Sequence, residues 1–117
     1  MTQKTVFPEM IEKLPDIDIS LPGVKGKLFQ GKEMQAVFFS LEGPADIPPH
    51  AHQAQWGVIL EGEVEMTIDG QTRILRQGDS YTIPTGAVHS AHVLSSMKAL
   101  DFFSESDRYQ PKAPLDI

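Results

Sequence analysis

The chain has 117 residues, 40% hydrophobic and 22% charged, which is ordinary for one soluble domain with a single core. Sixteen acidic against ten basic side chains leave a net charge of −6, so nucleic acid is repelled, and no cluster of Lys or Arg offsets this. With no cysteine there are no disulfides and no thiolate metal ligands, and with no long apolar run and no basic-then-apolar N-terminus the expectation is a cytoplasmic protein with no membrane partner.

Pro8, Pro15 and Pro22 interrupt the first thirty residues and prevent any long element there. Residues 7–14 can form a short helix. The favoured reading lays Ile17, Ile19, Leu21, Val24 and Leu28 along a sheet edge or a partner subunit. Further on, apolar content and period-two alternation predict strands at residues 34–41, 55–60, 64–68, 72–76, 80–83, 89–94 and 97–103. Glu61-Gly62 reads as a turn between the second and third of these, and Asp69-Gly70 as a two-residue hairpin, because a type I′ turn needs positive φ at both central positions. After Asp107 the chain, with Pro111 and Pro114, reads as surface. Short strands punctuated by Gly or Pro describe an all-β sandwich or barrel in one domain.

Two segments carry candidate chemistry. The first is Pro49-His50-Ala51-His52 leading into Gln55-Trp56-Gly57-Val58-Ile59-Leu60-Glu61-Gly62. The second runs Gly78-Asp79-Ser80-Tyr81-Thr82-Ile83-Pro84-Thr85-Gly86-Ala87-Val88-His89. Two His separated by one residue on a strand project to one face, and imidazole is a common ligand for Zn, Cu, Fe and Ni. Taken by itself, the pair is weak evidence and reads more readily as two solvent-exposed loop histidines following Pro48-Pro49.

Together these segments resemble the two motifs of the cupin superfamily, in the small single-domain cupin 2 type. The second motif matches at Gly78, Pro84, Gly86 and His89, and Val93 stands where the family has Asn. In the first motif, the family's acidic or amide position, counted back from Gly62, falls on Gln55, whose amide oxygen can ligate where Trp56 has no donor atom. The resemblance covers about residues 30–103, leaving 1–29 and 104–117 peripheral. It implies a jelly-roll barrel, a homodimer, and one divalent transition metal (Zn, Ni, Fe, Mn or Cu) held by His50, His52, Gln55 and His89. Such a set is neutral, whereas most oxygenase cupins carry three His and one Glu. The uncompensated cation favours an anionic small-molecule substrate and stronger Lewis acidity.

A narrower likeness is to the cupins of pectin and alginate breakdown, which convert unsaturated uronates to open-chain keto sugars. It rests on His50-x-His52, Gln55, His89 and a last strand with Asp101 and Phe103 followed by Arg108. Asp101 sits between apolar neighbours, and such an acid is costly to bury alone. It is a general base beside the metal or a strand-end carboxylate facing solvent. Arg108 is a bidentate carboxylate clamp or an ordinary surface side chain. His92, opposite in strand parity to His89, is left out of the site, and Trp56 is assigned to packing or a dimer contact. The resulting expectation is an isomerase or lyase acting on a small, anionic, sugar-acid-like molecule. The alternatives are a metal-dependent dioxygenase and a non-catalytic small-molecule-binding barrel.

Overall fold

A computed structural model of the chain describes residues 7–112. A four-residue helix α1 (Glu9–Glu12) follows Pro8. Eight strands then follow among the described residues: β1 (Val24–Gln30), β2 (Gln35–Glu42), β3 (Ala45–His50), β4 (Gln55–Ile68), β5 (Gln71–Arg76), β6 (Ser80–Ile83), β7 (His89–Val93) and β8 (Ser96–Phe103). They pair antiparallel in the order β1-β2-β8-β4-β7-β3, with β5 and β6 also on β4. The sheet curls into a jelly-roll barrel. No helix among the described residues is long and apolar enough to cross a membrane.

The long strand β4 makes the corner. Residues 55–62 pair with β8, and residues 55–58 also with β6. Beyond them, residues 63–68 pair with β5 and residues 65–68 with β7. The expected Glu61-Gly62 turn is therefore a bend inside one strand. A bulge between Ile59 and Glu61 shifts the register, and Gly62 adopts φ 79°. A Cβ at Gly62 would lie 2.2 Å from the Ser96 carbonyl oxygen, so only glycine allows the strand to change partners there. The Asp69-Gly70 hairpin takes the expected form, with φ 50° and 81°.

The structure adds two strands to those expected. β1 runs along the sheet edge beside β2, carrying Val24 and Leu28 into the core. β3 holds Pro48 and Pro49, which ordinarily argue against a strand. It lies at the opposite edge, and its register with β7 shifts between Ile47 and His50, where missing N–H donors cost no ladder bond.

Alternation places the core. On β8 every second residue is buried, namely Met97, Ala99, Asp101 and Phe103, so the inner row contains a carboxylate. The segment after Asp107 is not free surface chain. The side chain of Gln35, itself buried, donates from Nε2 to the Tyr109 carbonyl (2.8 Å) and accepts from the Tyr109 N–H (3.0 Å). The Tyr109 ring meets Phe39 and Phe103 edge-on, at 5.9 and 5.5 Å between centroids. Ile17 bridges to Pro111, so the tail laces the N-terminal segment to the barrel.

Candidate metal centre

His50 ends β3 and pairs directly with His89, which opens β7. His52 lies just beyond the strand. The loop that carries it is pinned on both sides, by Gly86 N–H to the His52 carbonyl (2.9 Å) and Ser104 N–H to the Ala54 carbonyl (2.9 Å). The three rings converge, with centroids 4.1 Å apart for His50 and His89, 4.7 Å for His52 and His89, and 5.2 Å for His50 and His52. One ring nitrogen from each lies within 4.8 Å of the others, so these three histidines can hold a metal ion.

Which nitrogen faces the centre follows from the backbone. Each Nδ1 lies against a carbonyl oxygen: Pro48 for His50 (2.8 Å), Gln53 for His52 (2.7 Å) and Ala87 for His89 (3.0 Å). A carbonyl only accepts, so each Nδ1 carries the proton and each Nε2 keeps its lone pair. Burial, opposed by the bond to Gln53 and aided by the charges of Arg108 and His50, lowers the pKa of His52. Burial also lowers that of His89 against its bond to Ala87, with His50, His52 and Arg108 adding to the effect. Neutral imidazole, the form that binds metal, is thereby favoured.

Gln55 opens β4 on the facing wall. Its Nε2 donates to Asp101 Oδ1 at 2.9 Å, which turns the amide oxygen away from Asp101. That oxygen, together with His52 Nε2 and His89 Nε2, is buried with no hydrogen-bond partner among the described residues. Unpartnered buried acceptors are costly, and all three are donor atoms suited to one divalent cation. The residues therefore fit the metal that the sequence implies.

Asp101 is 2% exposed and faces the barrel interior. Its Oδ1 also accepts from the Tyr81 hydroxyl. Burial pushes its pKa up from 3.8 to about 6, against the pull of the Tyr81 and Gln55 hydrogen bonds. Burial first, then the Asp101 charge, pushes Tyr81 well above its ordinary value, so its hydroxyl stays a donor. Room for this pair depends on Gly57, which lies opposite both Asp101 and Tyr81. A Cβ there would come within 2.1 Å of Asp101 Oδ1 and 2.4 Å of the Tyr81 hydroxyl oxygen.

Arg108 lines the same cavity, its guanidinium carbon 4.7 Å from the Tyr109 ring centroid. Among the described residues its buried Nε has no hydrogen-bond partner, and no carboxylate forms an ion pair with it. His92 points outward to Asp46 at 2.5 Å. Trp56 is 43% exposed on the outer face, its ring 6.1 Å from that of Phe102. Tyr81 and Gly57 are contributors that sequence reasoning passed over. Their signals were the inward parity Tyr81 shares with Ile83, and a glycine within a strand, which marks close approach.

Residues 37–103 match the model of the family described as Cupin domain. An RmlC-like cupin from Shewanella frigidimarina NCIMB 400 is 27% identical, with 92% of this chain and 95% of that one covered at a TM-score of 0.76. KdgF from Halomonas sp. is also 27% identical, with 79% and 90% covered at a TM-score of 0.69. A deletion mutant of oxalate decarboxylase from Bacillus subtilis is 20% identical over 83% of this chain and 29% of that one, at a TM-score of 0.69, and shares the fold. No curated protein matches the chain.

Proposed function

The chain belongs to the Cupin domain family, and from that membership we propose that it is a metal-dependent isomerase or lyase acting on a small, anionic, sugar-acid-like molecule. The observation that carries the proposal is one of charge. Three histidines, two of them with lowered pKa, share a cavity with a half-buried Arg108 that no carboxylate among the described residues pairs with. Asp101 lines the same cavity and Glu105 lies 3.9 Å from His52 Nδ1, but neither forms an ion pair with Arg108, and a substrate carboxylate matches the guanidinium fork bidentately. Likeness to the cupins of pectin and alginate breakdown, and to KdgF at 27% identity, supports a sugar acid as that anion.

A divalent metal held by His50, His52, His89 and Gln55 would supply a Lewis acid that polarises a hydroxyl or carbonyl of the bound molecule. Asp101 would then act as the base. Gln55 and Tyr81 both donate to its Oδ1, which leaves Oδ2 to take a proton from the substrate and return it elsewhere. Arg108 would fix the substrate carboxylate. The neutral ligand set favours this chemistry over oxygen activation. We also propose a homodimer, supported by the outer row Phe29, Phe102 and Trp56, in which Phe29 is 58% exposed; light scattering giving a monomer mass would refute it.

The test is turnover of unsaturated uronates and related sugar acids by untagged protein loaded in turn with Zn, Ni, Fe and Mn. The proposal expects conversion with at least one metal, and in Arg108→Ala a larger rise in KM than fall in kcat. Neither turnover nor binding of any such acid would overturn it.

A further inference from the structure

The cavity continues well past the metal end. Its volume is about 600 Å³, within the range of roughly 300–1,000 Å³ that accommodates drug-sized ligands and more than an acid head group fills. Beyond Asp101 the wall changes character. The inner row of β8 proceeds from Asp101 to Ala99 and Met97, carrying the lining about 13 Å further along the strand at a rise of ~3.3 Å per residue. Facing it, the inner positions of β7 and β4 step from His89 to Ala91, and from Ile68 to Met66 and Val64. Phe39 and Leu41 of β2 complete this floor.

Past Asp101 and His89, none of these inner-row residues carries a polar side chain; Asp18, Ser20, Ser90 and Gln110 line the cavity outside these rows. Water held in an apolar chamber finds few partners, and buried sugar hydroxyls would go unpaired at a cost. Alkyl or aryl groups gain there by leaving water. On the open side of the barrel no pairing joins β1 to β3, and Ser20, Leu21, Pro48 and Pro49 line the cavity there.

We propose that the ligand is amphipathic, a 2-hydroxy or 2-oxo acid head at the His50, His52, His89 and Arg108 end with an apolar tail in the floor bounded by Met66, Met97 and Ala99. This rests on the proposed function for the head group alone. The tail keeps the anionic, metal-facing head of that reading and replaces the polyhydroxy body of a sugar acid with an apolar remainder.

The test is calorimetry on metal-loaded protein with straight-chain 2-oxo acids from pyruvate to 2-oxooctanoate, and with a hexuronate of equal charge. Each added methylene should tighten binding by roughly fourfold until the floor is filled, and the longer acids should outbind the hexuronate. Ala99→Leu, or Ala91→Leu from the other wall, should weaken the long acids by tenfold or more while leaving pyruvate unchanged. Affinity that is flat with chain length, or a hexuronate that binds tighter than every oxo acid, would overturn the tail and leave the proposed function standing. Failure of all these acids to bind would sink both.

Discussion

The two walls of the metal end differ in burial, with His50 and His52 partly exposed where Asp101 and Tyr81 are buried, and their polar atoms stand in opposite condition. On the wall of β3, β7 and the His52 loop, His52 and His89 each satisfy Nδ1 with a carbonyl and leave Nε2 buried without a partner. On the wall of β4, β6 and β8, Asp101 Oδ1 receives two donors. Unmet acceptors on the first wall call for a ligand from outside, while met ones on the second serve to orient. Gln55 belongs to both, its Nε2 committed to Asp101 and its oxygen unpartnered. An amide can be steered in this way because its two ends differ, so the buried carboxylate decides which end is left unpartnered.

If the second wall is chemical as well as orienting, Asp101→Asn should lower turnover by about 10²–10⁴-fold, the usual worth of a positioned base, while metal content stays near wild type. Undiminished turnover would reduce Asp101 to an orienting role. The same variant separates the walls by pH. The folded pKa of Asp101 is raised from 3.8 to about 6, so the folded state holds this proton more tightly than the unfolded chain. The carboxylate should therefore subtract stability as pH rises from about 4 through 6. Metal-free wild type, measured by urea unfolding, should lose stability across that window relative to Asp101→Asn; parallel curves would contradict the pKa shift.

Next in size is Gly57→Ala. Its Cβ would collide with Asp101 Oδ1 and the Tyr81 hydroxyl, and overpacking of this kind costs ~1–3 kcal/mol. Denaturant unfolding should show that loss, and metal affinity should fall with it as Gln55 loses its anchor. A stable variant with wild-type metal affinity would show that the second wall does not steer the first. Gln55→Glu should give a smaller effect. Metal is retained, but a charge added beside the anion site weakens acid binding by about tenfold, seen by calorimetry; tighter acid binding would contradict the charge argument.

Much of this was legible in the sequence, and the rest was hidden for identifiable reasons. Histidine spacing and the Gly-Pro-Gly-His pattern were enough to nominate His50, His52 and His89, since both signals are local. β3 was not visible, because Pro48 and Pro49 argue against a strand unless it lies at an edge with a bulge, and that is a property of the sheet. β4 was read as two strands because Gly62 carries the mark of a turn, and nothing local says that a bulge absorbs it. Tyr81 and Gly57 acquire their meaning only from cross-strand register, which brings residues far apart in the chain onto Asp101. For Arg108 the sequence left a carboxylate clamp and an ordinary surface side chain open, and the tail's attachment through Gln35 and Tyr109 puts it at the cavity.

The central claim is that the orphaned acceptors of the first wall hold one metal ion. Its most direct test is the metal content of untagged protein by elemental analysis after loading and exhaustive dialysis, wild type beside His89→Ala. The account predicts one equivalent of divalent metal per wild-type chain and most of it lost from the variant, because an inner-sphere ligand is hard to replace. Full occupancy in His89→Ala, or a wild-type chain that retains no metal, would contradict it.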